Sequence, residues 1–151
     1  MVLVVCASEA GAQTATQVVT FRVNPISEIA VSGSPAPITV DAPRGSNERS
    51  SAVMGGTSYA IATNEGNQKI SVALDRAMPN GVSLAVALGA PQGSASTGSV
   101  MIGTHAADVV TQIPAGAARG LPIVYTLSAT PVARQGASGT RVVTYTISAG
   151  L

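Results

Sequence analysis

The sequence predicts an all-β protein, a single antiparallel β-sandwich of about eight or nine short strands. Segments in which apolar and small polar residues alternate recur along the 151-residue chain, and turns rich in Gly, Pro and Asn separate them. Side chains on a strand point to opposite faces with period two, so this alternation indicates strands buried on one face. We find no helical periodicity with caps, no linker that would divide the chain, and no repeat of solenoid length.

The strongest strand pattern lies in residues 57–88, which predict three consecutive strands joined by two turns. Residues 64–67 (Asn-Glu-Gly-Asn) and 79–81 (Pro-Asn-Gly) have the residue types that turns require. We expect the three strands to form one antiparallel sheet, with inward residues that are the most buried of the chain. These residues are Ile70, Val72, Leu74, Val82, Leu84, Val86 and Leu88.

Shorter strands are predicted on both sides of this segment. On the N-terminal side we expect strands at 16–23, 26–32 and 38–40, and a polar loop at 41–51. On the C-terminal side the pattern predicts a long loop at 89–99, short strands at 100–103 and 109–113, a turn at 114–120, and strands at 121–129 and 141–148. In the last strand Val143, Tyr145 and Ile147 share one face.

The N-terminus predicts secretion, to the extracellular space or the cell surface. Residues 2–7 form a short apolar run, and Ala10-Gly11-Ala12 has the small-x-small pattern that signal peptidase cleaves. Residues 1–12 are therefore interpreted as a signal peptide truncated at its start, since no Lys or Arg precedes the run. The alternative is that the run is the first strand of the fold. Cleavage would remove Cys6, the single cysteine, and leave a β-sandwich domain of residues 13–151 without disulfides.

The composition argues against several classes of function. The net charge is +1 and 10% of the residues are charged, without the basic cluster that nucleic-acid binding requires. His105 is the single histidine, and no G-x-S-x-G elbow or calcium-loop pattern occurs. We therefore expect a protein that is not an enzyme, with no catalytic residue, cofactor, metal site, small-molecule substrate, nucleic-acid partner or membrane span.

The predicted mature chain resembles the pilin-like and coat-like β-sandwich subunits of bacterial extracellular fibres and surface layers. The resemblance rests on a Cys-free, Ala/Ser/Thr/Val-rich, immunoglobulin-like sandwich pattern. The chain lacks the long apolar N-terminal helix of type IV pilins, and its end at 148–151 (Ser-Ala-Gly-Leu) differs from the aromatic pattern of chaperone–usher pilins. The resemblance implies a structural subunit that assembles with copies of itself into a filament or surface layer.

Strand donation between subunits would be the mechanism of such assembly. Residues 13–23, which follow the predicted cleavage site, are β-branched and almost uncharged, and form a candidate donor strand for the open sheet edge of a neighbour. Head-to-tail donation does not close on itself, so it produces a filament. The alternative is that this segment is a strand of its own domain. The candidate interface residues are Val18, Val19, Phe21 and Val23.

A monomeric cell-surface module is the second hypothesis, either a spacer or a domain that binds carbohydrate or matrix. Carbohydrate binding would need a platform of exposed aromatic side chains. Tyr59, Tyr125 and Tyr145 alternate in phase with the predicted core residues. Exposure of these tyrosines on one flat face would favour binding, and burial would count against it.

Overall fold

Two antiparallel sheets packed face to face form the protein, which confirms the predicted β-sandwich. The computed structural model describes residues 16–40, 50–134 and 136–151, and these contain strands and no helix. The strands of the described residues are, in chain order, β1 (Ser27–Ser32), β2 (Ser50–Thr63), β3 (Gln68–Leu74), β4 (Val82–Leu88), β5 (Ala95–Ser96), β6 (Val100–Ile102), β7 (Ala107–Ile113), β8 (Gly116–Ala129) and β9 (Val143–Ala149).

The five-stranded sheet has the order β1-β2-β8-β4-β6, and the four-stranded sheet has the order β5-β7-β3-β9. All ladders are antiparallel. The inward side chains of both sheets form one core, as the period-two pattern requires. Its largest fully buried members are Tyr59, Ile70, Ile113, Ile123, Val72, Val86, Val109 and Val110.

The three strands predicted in residues 57–88 are confirmed, but the prediction that they form one sheet is wrong. β2 and β4 lie in the five-stranded sheet and β3 lies in the other. Burial alternates along β3, with Ile70, Val72 and Leu74 inward, as predicted. In β4, Leu84, Val86 and Leu88 are buried as predicted, but Val82 is half-buried. Alternation determines which face of a strand is buried, and it contains no information about which strand pairs with it.

The turn predicted at residues 114–120 is also wrong, because β8 begins at Gly116 and continues to Ala129. The ladder with β2 changes register where Tyr59 pairs with Leu121 and Ile61 pairs with Ala118. The two residues between these partners on β8 are Arg119 and Gly120, and Gly120 has φ +67°. A β-bulge containing a left-handed glycine therefore accounts for the turn-like composition.

Two further predicted strands are absent from the described residues. Residues 16–23 and 38–40 adopt no strand conformation, although Ile38 is partly buried against the core. The predicted signal peptide at 1–12, residues 13–15 of the candidate donor strand and the loop residues 41–49 lie outside the described residues.

Candidate functional site

The N-terminal segment of the described chain, residues 16–26, lies outside both sheets. It forms no regular secondary structure, and every residue in it is exposed. The structure thus places all four candidate interface residues in solvent, with exposed fractions of 91% for Val18, 75% for Val19, 84% for Phe21 and 70% for Val23. Four large apolar side chains are thus exposed within six residues of the chain, and exposed apolar patches can mark interaction sites.

Hydrogen bonds to Asn64 fix the position at which residues 16–26 join the sandwich. The amide of Ile26 donates to the Asn64 side-chain carbonyl at 2.7 Å, and the Asn64 amide donates back to the Ile26 carbonyl at 3.1 Å. The Asn64 side-chain NH₂ also donates to the Asn24 carbonyl at 2.8 Å. Pro25 has no N–H to donate to a ladder, so strand β1 cannot extend through it. Residues 16–23 are therefore tethered to the domain at Asn24 and Ile26.

Four strands form the edges of the two sheets: β1 and β6 in one, β5 and β9 in the other. β5 and β6 contain two and three residues. β9 has seven residues and, among the described residues, its ladder is with β3 alone. β1 approaches β9 from the opposite sheet without a ladder between them. An edge strand presents N–H and C=O groups that no strand of its own sheet pairs, and this holds for β9.

A groove opens between the two sheets beside Val143, the first residue of β9. Leu84 and Leu127 of the five-stranded sheet form its floor, and Val143 of β9 and Met78 form its sides. Residues 35–38 form its other wall, and the groove has a volume of about 370 Å³. The groove is mainly apolar, and the Arg141 guanidinium at its mouth donates to the Ala77 carbonyl at 3.0 Å. Apolar side chains entering from the edge would find apolar surface there.

The tyrosines stabilise the core and form no exposed platform. The Tyr59 hydroxyl donates to the Gly89 carbonyl at 2.5 Å, and Tyr59 is 1% exposed. The Tyr125 and Tyr145 hydroxyls are hydrogen bonded to each other at 2.7 Å, which joins the two sheets. Tyr125 is buried and Tyr145 is half-buried. The burial of these three rings therefore counts against carbohydrate binding through them.

The buried tyrosines predict that stability falls above pH 10. Burial raises the pKa of Tyr59 from 10.0 to about 12, and burial with the Tyr125 hydrogen bond raises the pKa of Tyr145 well above its ordinary value. A pKa raised on folding stabilises the folded state fully below pH 10, and this stabilisation is lost as the pH rises towards the folded-state pKa. Each tyrosine should lower the free energy of unfolding by up to about 1.4 kcal/mol per pH unit between pH 10 and 12.

Denaturant titrations at pH 9, 10 and 11 measure this slope. Tyr59→Phe removes one of the two tyrosines whose pKa is raised and should reduce the slope of the unfolding free energy against pH. A variant with the wild-type slope would show that Tyr59 does not contribute.

The single histidine and the acidic residues were the remaining candidates for a catalytic or metal site. His105 is exposed in the turn between β6 and β7. Within the described ranges, no group of three or more His, Cys, Asp or Glu side chains could hold a metal ion. No helix there is long and apolar enough to cross a membrane.

The edge position of β9 and its groove are the features that the sequence did not reveal. The alternation of Val143, Tyr145 and Ile147 predicted an inward face, and these side chains are partly buried against the core. Edge position depends on which strands pair, and residues at least 69 positions away in the chain, in β3, determine it.

The chain was compared with protein-family models, curated proteins and solved structures, and none of them matches. The geometry described above is therefore the basis on which a function can be inferred.

Proposed function

We propose that the protein is a secreted, non-enzymatic structural subunit that assembles with copies of itself into an extracellular filament or surface layer by donating a β-strand. The observation that supports it best is the segment 16–23, which is tethered to the domain, outside its sheets, and exposes Val18, Val19, Phe21 and Val23. These residues remain in water unless another molecule covers them, and burying one such side chain is worth roughly 1.5–3 kcal/mol.

Two properties of the segment favour a strand as its bound form. Its β-branched and aromatic residues have high strand propensity, and Val19, Phe21 and Val23 fall on one face at period two. Binding by strand addition gives main-chain hydrogen bonds along the edge and side-chain contacts in alternate pockets. Since each subunit has one donor segment and a separate sheet edge, the contact is heterologous and propagates into a filament.

Removing the donor segment should abolish assembly without unfolding the domain. We expect the chain lacking residues 13–23 to be a monomer by size-exclusion chromatography and electron microscopy, while the chain retaining them forms filaments. Because residues 16–23 add no strand to the sandwich, the free energy of unfolding of the deletion variant should change by about 0.5 kcal/mol or less.

A matched pair of triple variants tests the side chains separately from the backbone. Serine at Val19, Phe21 and Val23 should prevent filament formation, because the pocket-filling face is lost. Serine at the alternate positions Val18, Thr20 and Arg22 is the control and should weaken assembly less. Filaments formed by the deletion variant would rule out strand donation by this segment. A chain that stays monomeric with residues 13–23 present would instead favour the spacer function.

A further inference from the structure

We propose that the acceptor for residues 16–23 of a second copy is the outer edge of β9, with the donor's alternate apolar side chains entering the groove between the sheets. This inference rests on the proposed function, since it assigns the other half of the same subunit contact. Four observations support it: the free backbone groups of β9, the groove beside it, the length and area of the donor, and the poorer fit of the other edges.

The backbone hydrogen bonds of β9 alternate between its partner and solvent. The Asp75 amide donates to the Val142 carbonyl at 3.0 Å, and the Gly150 amide donates to the Asn67 carbonyl at 2.6 Å. Hydrogen-bonded pairs recur every second residue of an antiparallel ladder, and the register between these two pairs is continuous. The N–H and C=O groups of the odd-numbered residues therefore point away from β3. These residues are Val143, Tyr145, Ile147 and Ala149.

The same residues direct their side chains into the sandwich. Val143, Tyr145 and Ile147 are only partly buried, and they pack against the core at its open side. A strand added next to β9 would lie in the plane of the four-stranded sheet, so its alternate side chains would enter the same layer. The groove of about 370 Å³ beside Val143 lies in that layer and is lined by Leu84 and Leu127 from the opposite sheet.

Residues 16–23 match this edge in length, area and charge. As an extended strand they span roughly 26 Å, and the seven residues of β9 span roughly 23 Å. An extended segment of this mass exposes on the order of 1,300 Å². If about half of this area is buried and a similar area is covered on the acceptor, the contact reaches about 1,300 Å², within the range of specific interfaces. Arg22 is the one charged residue of the segment, and it lies on the face opposite Val19, Phe21 and Val23. β9 contains no charged residue, so strand donation does not require an unpaired charge to be buried.

The other three edge strands are poorer acceptors than β9. β5 and β6 are too short to pair with a segment of this length. β1 has six residues, of which Ile29 alone is partly buried, while β9 has four partly buried residues. β1 is also the strand to which a chain's own donor segment is joined through Asn24 and Ile26. It is nevertheless the best alternative acceptor, and it provides the control.

Two valine-to-proline variants of the full chain distinguish these edges. In β9 the amide of Val143 points outward, so Val143→Pro removes a donor that the incoming strand needs and no ladder bond with β3. In β1 the hydrogen bond from the Asn64 amide to the Ile26 carbonyl sets the alternation, and the Val31 amide also points outward. Val31→Pro is thus the same change at an outward-pointing amide of the other long edge.

We expect Val143→Pro to abolish filaments and Val31→Pro to leave them as in the wild type, with both monomers folded by circular dichroism. Loss of filaments in Val31→Pro alone would identify β1 as the acceptor and overturn the proposal. Filaments in both variants would also overturn it, while leaving strand donation itself standing.

Hydrogen exchange of the wild-type chain provides a measurement that does not depend on the variants. At a concentration where the full chain is monomeric, a synthetic peptide of residues 16–23 is added. The amides of Val143, Tyr145 and Ile147 should then exchange at least about tenfold more slowly, because they become hydrogen bonded. Unchanged exchange at these amides under saturating peptide would overturn the proposal. Slowed exchange in a chain that never forms filaments would support the acceptor site and contradict the proposed function.

Discussion

Replacing Tyr59 by alanine is expected to lower the free energy of unfolding by about 3–5 kcal/mol, as for other buried aromatic residues. Tyr59 is 1% exposed and lies in β2, in the core between the two sheets. The substitution removes the ring from a close-packed site and leaves the Gly89 carbonyl without the hydroxyl that donates to it. Denaturant titration of the two proteins measures the difference directly.

Two control variants separate the contributions. Tyr59→Phe retains the ring and removes the hydroxyl, so it should cost about 1 kcal/mol. Phe21→Ala also truncates an aromatic residue, but Phe21 is 84% exposed, so it should change the unfolding free energy by about 0.5 kcal/mol or less. A destabilisation by Phe21→Ala as large as that by Tyr59→Ala would mean that residues 16–26 pack on their own domain.

Gly81→Ala is expected to destabilise the fold by about 2–4 kcal/mol, from left-handed strain and from crowding together. Gly81 has φ +78°, which residues with a Cβ adopt at a cost. An added Cβ would lie 2.5 Å from the Ala133 amide nitrogen and 2.8 Å from its Cα. The backbone cannot easily move away, because the Gly81 carbonyl accepts hydrogen bonds from the Thr130 amide at 2.9 Å and hydroxyl at 3.1 Å.

Gly98 provides a control with the same backbone conformation. Its φ is also +78°, and nothing lies within 4 Å of an added Cβ. Gly98→Ala should therefore cost about 1–2 kcal/mol, the strain alone. The difference between the two alanine variants in thermal or denaturant unfolding measures the contact with Ala133. Equal destabilisation would show that this contact relaxes without cost.

The inward and outward faces of the strands could be predicted from the sequence because they depend on local alternation. In β3 the predicted inward residues Ile70, Val72 and Leu74 are all buried, and the residues between them are half-buried. Side-chain direction follows from the pleat of one strand, and it requires no knowledge of the neighbours. The β-sandwich class follows from many such strands without helices.

Strand partners could not be predicted in the same way. β2, β3 and β4 follow one another in the chain, yet none of them pairs with another of the three. β2 pairs with β1 and β8, β4 with β8 and β6, and β3 with β7 and β9. The composition of residues 114–120 is equally compatible with a turn and with a bulged strand. Pairing partners and bulges are decided by how two distant surfaces fit, which no short window of sequence contains.

For the candidate site, the sequence identified residues 16–23 as an apolar segment, but it did not identify the sheet edge or the groove beside β9. The β-branched and aromatic run that includes Val19, Phe21 and Val23 predicted a strand, and in the single chain it has none of the partners a strand needs. Strand propensity records a tendency to pair, and the partner can belong to another molecule. The edge of β9 required the complete pairing order, so it became visible in the structure alone.

The central position of β8 in the five-stranded sheet has a consequence for folding kinetics. β8 lies between β2 and β4, and the β2 ladder joins Ser50 to Ala129. The entropy cost of closing such long loops comes before the stabilisation that strand pairing provides. A topology of this kind therefore folds slowly, in milliseconds to seconds. During synthesis, β2 can pair with β1 and β4 with β6, but these two parts of the sheet cannot join until residues 116–129 have been made. The five-stranded sheet is therefore completed only once β8 is available, and a chain interrupted before that point has two separate strand pairs in place of a sheet.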